Sequence, residues 1–249
     1  MKIAMTAIAA AVLMTGTSFA ADLIVDEPVA YAPTAYDWNG FYVGVNAGYG
    51  GGLFAHPFSL DDPPDSLPGT IDVTAGGFLY GVQGGFNVQM DNILLGIEAD
   101  IQGSTIDGRV SLAIDDVDDV IGGIDTVDVD AGTSLDWLAT LRPRLGFVSD
   151  RFVVYATGGL AYGQTTSSIN VSINDTPLFD PSITNDRFGW TVGAGIEYAL
   201  ADNITFKTEY LYTDLGSAEI INEEFDGGSF TMDSAVAFHT VRAGLNFQF

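Results

Sequence analysis

The chain has 249 residues, 33 acidic and 8 basic side chains, a net charge of −25, 30 glycines and no cysteine. That charge argues against nucleic acid as a partner, since phosphate binding needs a basic footprint, and the absence of cysteine excludes disulfides, thiol catalysis and thiolate metal centres. A 47% hydrophobic composition argues against a disordered polyanion. Acidity combined with apolar, glycine-rich and tyrosine-rich composition suits an outer-membrane barrel.

Residues 1–20 read as a secretory signal peptide. Lys2 supplies the positive start, residues 3–14 form a short apolar run, and Ser18-Phe19-Ala20 sets small residues before a cleavage point at Ala21. The run is too short for a spanning helix, which needs about 20 residues. Nothing later approaches one, so a membrane-embedded chain would have to close a β-barrel. Residues 21–36, with Pro28 and Pro33, read as an extended periplasmic lead-in ahead of a barrel at 37–249.

The first strand covers residues 37–50. Phe41, Val43, Val45, Ala47 and Tyr49 fall on one face, and Tyr42, Gly44, Asn46, Gly48 and Gly50 on the other, because strand side chains alternate with period two. Residues 51–72 hold Pro57, Pro63, Pro64 and Pro68 and read as a loop. A second strand spans about 74–90, Asp91-Asn92 is a tight turn, and a third strand begins at Ile93. Residues 105–134 carry eight aspartates and one base, Arg109; their partial alternation predicts a ribbon continuing beyond the membrane.

The fourth strand spans 135–147, with Leu135, Trp137, Leu141, Pro143, Leu145 and Phe147 outward and Asp136, Thr140, Arg142, Arg144 and Gly146 inward. Pro143 is awkward there, since proline removes a ladder hydrogen bond. The fifth strand runs over 152–165 and the sixth over 190–198, separated by a polar loop. The seventh covers 204–212 after a turn at 201–203, and the eighth ends the chain after a loop at 215–233. These eight strands alternate long and short connections, the signature of an all-β, antiparallel transmembrane β-barrel with short periplasmic turns and long extracellular loops. Eight strands leave an interior that side chains just fill, so the apolar face is assigned to lipid and the glycine-rich, polar face to the lumen.

Asp37-Trp38-Asn39-Gly40-Phe41-Tyr42-Val43-Gly44, Gly158-Gly159-Leu160-Ala161-Tyr162-Gly163, Gly193-Ala194-Gly195-Ile196-Glu197-Tyr198 and the ending Val241 to Phe249 resemble the outer-membrane immunogenic β-barrel proteins of alphaproteobacteria, OmpA-like small barrels of the porin superfamily. The resemblance covers nearly all of the mature chain. It implies a place in the outer membrane of a Gram-negative bacterium, among lipid and lipopolysaccharide. The terminal Phe249, with Phe247 two positions before it, resembles the signal read by the barrel assembly machinery. Haem binding by some relatives makes His56 a candidate ligand. The long acidic segment before Leu135 matches no familiar loop of the family.

Inward charges form the central constellation: Glu98, Asp100, Asp136, Arg142, Arg144, Glu197, Lys207, Glu209 and Arg242. Unpaired charge in a narrow lumen is costly, so these residues are expected to form a salt-bridged plug; a gated pore is the alternative. The clusters Asp115-Asp116-Val117-Asp118-Asp119 and 125–130 offer oxygen ligands for divalent cations, but no EF-hand or nonapeptide pattern is present, and a solvated loop is the reading preferred. His56 and His239 are the two histidines and have no metal-site spacing. A triad of His239 with Asp233 or Ser234 is not singled out by spacing. Tyr49, Tyr80, Trp137, Tyr162, Trp190, Tyr198, Tyr210, Tyr212, Phe247 and Phe249 are expected in interfacial girdles. The sequence calls for no cofactor and no catalysis. It leads to a structural barrel contributing to envelope integrity and presenting acidic loops, with a surface binder of haem, divalent cations or a host or phage partner, or a small diffusion pore, as alternatives.

Overall fold

The computed structural model describes residues 36–62, 65–115, 126–174, 176–179, 182–225 and 228–249. The expected signal peptide, most of the lead-in and the acids at Asp116, Asp118, Asp119 and Asp125 lie outside the described residues. Ten antiparallel strand segments follow one another: β1 (Gly40–Asp62), β2 (Asp65–Met90), β3 (Ile93–Ser104), β4 (Asp107–Asp115), β5 (Thr126–Ser149), β6 (Phe152–Ile173), β7 (Thr176–Phe179), β8 (Ser182–Ala199), β9 (Ile204–Phe225) and β10 (Gly228–Gln248). Pairing runs β1, β2, β3, β5, β6, β8, β9, β10 and back to β1. The ring closes on eight strands, because β4 continues β3 past a break at Thr105-Ile106 and β7 is a short addition to β6.

The short turns fall where the sequence puts them. Asp91 and Asp150 adopt positive φ of 53° and 52°, the left-handed conformation that tight hairpin turns require and aspartate tolerates. Of the four long connections, 105–134 forms the expected ribbon, with β4 and β5 paired from Asp107↔Ser134 to Asp115↔Thr126; the other three differ from expectation. Segments 51–72, 164–186 and 215–233 were expected as loops; most of each is strand, with pairing continuing to Asp62↔Asp65 in one hairpin and Gly228↔Phe225 in another. A hairpin ladder needs paired backbone groups rather than an apolar face, so a polar ribbon extends without a lipid-facing pattern.

The lipid-facing surface carries Phe41, Val45, Phe78, Leu145, Phe188 and Val241 among many exposed apolar side chains. Aromatic pairs sit near both edges: Phe41 with Phe86 at 4.6 Å on one, Trp137 with Tyr162 at 5.5 Å and Trp190 with Tyr212 at 5.3 Å on the other. This is the girdled apolar belt of a membrane barrel.

Inside, two apolar layers sit one at each end. Phe54, Leu79, Ile106, Leu135, Leu138, Leu215 and Phe238 are the larger members of the outer one. Tyr36, Trp38, Leu94, Val148, Val153 and Tyr155 belong to the periplasmic one. Trp38 was expected in the first strand; it precedes it and is fully buried, its ring 4.7 Å from that of Tyr36. The segment is held by Gln89 Oε1, which accepts from Trp38 N at 3.2 Å, and by Gln248 Nε2, which donates to the carbonyls of Asp37 and Asn39 at 2.9 and 2.7 Å. The two ends of the described chain thus meet beneath the lumen, where Phe249 N donates to Phe41 O at 3.0 Å.

Candidate functional site

Period two sets the inward faces of β3, β5, β8, β9 and β10, and these faces converge on the middle of the lumen. Glu98 on β3 is the hub. Its carboxylate lies 2.7 Å from Arg142 Nη2, 2.7 Å from Lys207 Nζ, 3.4 Å from Arg242 Nη2 and 3.6 Å from Arg144 Nη1, and accepts from Tyr42 Oη at 2.8 Å. Asp100, one inward step along β3, meets Arg142 at 3.0 Å and Arg242 at 3.2 Å and accepts from Thr140 Oγ1 at 2.7 Å. Glu209 holds Arg242 at 2.6 Å and Arg142 at 3.2 Å. Glu197 holds Arg144 at 2.6 Å and accepts from Asn246 Nδ2 at 2.8 Å. The Arg144 guanidinium also stacks 4.1 Å from the centre of the Tyr155 ring, a cation–π contact strengthened where water is absent.

Four carboxylates therefore meet four cations, and the lattice is electrically neutral inside a chain of net charge −25. Balance is forced by physics: each buried ion costs several kcal/mol of desolvation, recovered only through close pairing and further hydrogen bonds. Amides extend the network sideways, with Asn46 donating to Gln83 at 3.0 Å and Gln83 donating to Asn246 at 2.5 Å.

Eight of the nine charged lumen residues expected from sequence are brought together; Asp136 is not. The β5–β6 register shifts between Leu135 and Trp137, where Leu135 pairs with Thr165 and Trp137 with Gln164. That bulge leaves Asp136 as the extra residue and reverses the facing beyond it. Asp136 is half-buried and accepts from Thr166 Oγ1 at 2.8 Å, while Leu135, expected outward, is 1% exposed and part of the outer apolar layer. Pro143 is accommodated by a lapse in the ladder. It pairs with Ile97 on the β3 side, β5–β6 pairing skips from Leu141 to Arg144, and Thr157 Oγ1 donates to the Pro143 carbonyl at 2.9 Å.

His56 was expected in an exposed loop. It lies on β1, inside and nearly buried, with Nε2 3.1 Å from Thr133 Oγ1 and that hydroxyl 2.9 Å from Ser167 Oγ. Burial among these groups lowers its pKa below 6.5. His239 faces outward, its Nδ1 2.6 Å from Tyr210 Oη and its ring stacked on that of Tyr210, whereas Ser234 faces inward and is fully buried. The two lie on opposite faces of β10, so they do not form a Ser-His pair. Sequence reasoning did not single out Arg187. It is 2% exposed, on the inward face of β8 at the outer end of the lumen, and the expected polar loop that ended at residue 186 hid its facing.

A closed antiparallel ring with an apolar belt outside and a charged, hydrogen-bonded interior defines an outer-membrane β-barrel protein. Residues 7–249 match the family described as outer membrane protein beta-barrel domain, and the chain belongs to that family. It is 44% identical to the 31 kDa outer-membrane immunogenic protein of Brucella melitensis, over 96% of both chains. It is 32% identical to the 22 kDa outer membrane protein of Rhizobium leguminosarum, over 79% of this chain and 72% of that one. Among solved structures it is similar to the outer membrane protein OprG of Pseudomonas aeruginosa, with 15% identity, a TM-score of 0.48 and coverage of 86% of this chain and 99% of that one. The protein is placed in the outer membrane of a Gram-negative bacterium.

Proposed function

We propose that this barrel is a non-enzymatic structural protein of the outer membrane, closed to small solutes, which contributes to envelope integrity and presents acidic extracellular ribbons. The observation that carries the reading is the layered lumen. The neutral lattice around Glu98 lies between the apolar layers of Phe54 and Phe238 at one end and Trp38 at the other. A hydrated ion crossing it would have to break several buried ion pairs together and then pass two apolar layers, which opposes conduction. The outward His239 and inward Ser234 give no support to a hydrolytic rim. Outer-membrane lipid and lipopolysaccharide would meet the girdled belt, and the assembly machinery would read Phe247 and Phe249, whose rings lie 5.2 Å apart with Phe249 74% exposed.

Planar-bilayer recording on the folded protein tests the reading. A silent membrane is expected, and it should stay silent after Trp38→Ala, because the lattice and the outer layer remain. Steady single-channel conductance by the unaltered protein would replace the structural reading with a pore. Heightened sensitivity to detergent and bile salts in cells lacking the protein is the expected cellular counterpart.

A further inference from the structure

Beyond the outer aromatic pairs the wall of the barrel parts at two places. Among the described residues, β8 and β9 pair only as far as Trp190↔Asp214; above that, β8 stays on β6 up to Ser168↔Ser182 and β9 stays on β10 up to Gly228↔Phe225. The second parting is between β2 and β4, which share only Ala75↔Gly108 and Gly76↔Asp107. Gly216, with φ of 65°, lies where the β9–β10 register shifts, and there β9 turns away from β8.

Arg187 bridges the first parting. From β8 its Nη1 donates to Ser234 O on β10 at 2.6 Å and to Gly216 O on β9 at 3.3 Å, and its Nε donates to Thr165 Oγ1 at 2.7 Å. Among the described residues its Nη2 has no partner, nor does Ser234 Oγ, the hydroxyl of the residue whose carbonyl it grips. The contrast with the other buried cations is sharp. Arg142, Arg144, Lys207 and Arg242 each have a carboxylate within 4.0 Å, while Arg187 has none among the described residues. A buried guanidinium left without an anion is costly, and its planar fork matches oxyanions. His56 lies one position beyond the Ala55↔Ala235 pair, on the inward face beside Ser234, and the hydroxyls of Thr133 and Ser167 continue the polar wall.

We propose that the base of the β8–β9 parting binds a phosphate group, held by Arg187 Nη2 and Ser234 Oγ and walled by His56. Both holding atoms are shielded from solvent, so the group enters by displacing side chains along the seam; no backbone ladder must break, because among the described residues β8 and β9 are unpaired there. The unpaired seam begins just beyond the outer aromatic pairs, so the group can come from dissolved phosphate or from the phosphorylated headgroups of the outer leaflet. The site is independent of whether the lumen conducts.

Two titrations of the folded protein in neutral-detergent micelles, at fixed ionic strength, test it: one with inorganic phosphate, one with lipopolysaccharide and its dephosphorylated form. Saturation by inorganic phosphate assigns dissolved anion. Saturation by lipopolysaccharide alone, lost on dephosphorylation, assigns the headgroup. In either case Arg187→Gln should weaken binding at least about tenfold, the loss of one charge-assisted hydrogen bond. Ser234→Ala should weaken it severalfold, and Arg151→Gln, on a periplasmic turn, should leave it unchanged. No saturation in either titration, or equal affinity in Arg187→Gln, overturns the proposal. Should Arg187→Gln fail to fold, as judged by gel migration without boiling, the Ser234→Ala comparison decides.

Discussion

Lys207 Nζ lies 2.7 Å from both carboxylate oxygens of Glu98, although their strands, β9 and β3, are diametrically opposed in the ring. The contact spans the lumen and joins positions 109 residues apart in the chain. Adjacent strands are held by their ladders; this contact ties strands that share none. Lys207→Met should therefore destabilise the folded barrel by about 3–5 kcal/mol, the cost of leaving a buried carboxylate short of a partner, less whatever Arg142 and Arg242 recover. Removing an exposed pair by Arg109→Gln should change stability by no more than about 0.5 kcal/mol. Urea unfolding in detergent micelles, followed by tryptophan fluorescence, measures both; equal midpoints would deny the lattice its role.

On the inner face of β1, Gly44 and Gly48 leave no room for bulk. A Cβ on Gly48 would come within 2.6 Å of Arg242 Cβ and 2.5 Å of Val241 O, and one on Gly44 would meet Leu245 O and the Asn246 side chain. Val45, on the same strand, points to lipid at 57% exposure. Gly44→Leu and Gly48→Leu should cut refolding yield severalfold, and Val45→Leu should not, by heat-modifiable gel migration. Equal yields for all three would count against the inward assignment.

His56 gives the barrel a pH dependence. Its pKa is below 6.5 in the folded state because burial disfavours the imidazolium. The unfolded chain therefore binds the proton first as pH falls. Stability should be unaffected by this group above pH 6.5 and should decline below it until the folded form also protonates. His56→Gln should flatten that decline in urea-midpoint measurements between pH 7 and 5. An unchanged slope in the variant would place the titration elsewhere.

At the chain end, Phe249 contributes a backbone bond to Phe41 and an outward ring that packs on Phe247. If that ring is read by assembly machinery, Phe249→Ala should lower the amount of folded protein in cells several-fold while leaving detergent refolding near normal. A matching loss in both settings would make the ring merely structural.

The period of two carried the sequence reading a long way. Glu98, Lys207, Glu209 and Arg242 each stand in an uninterrupted alternating run, and the structure finds them in contact. Asp136 escaped because a bulge adds one residue without any mark in composition. The outer apolar layer escaped for a related reason: Phe54, Leu215, Val236 and Phe238 lie in or beside segments that proline, glycine and acid content marked as loops, and Leu135 sits at the bulge. Strand ends cut short take their inward residues out of the reckoning. Arg187 was lost in the same way, one residue past an assumed loop boundary.

Because the four buried carboxylates cancel four buried cations, the lattice contributes nothing to the net −25 of the chain. Scaffold and surface are thereby uncoupled. The exposed ribbons can gain, lose or exchange charged residues without disturbing the ion balance within. Such a barrel gives its outer face wide freedom to diverge under selection by whatever recognises it, while the same internal lattice is kept.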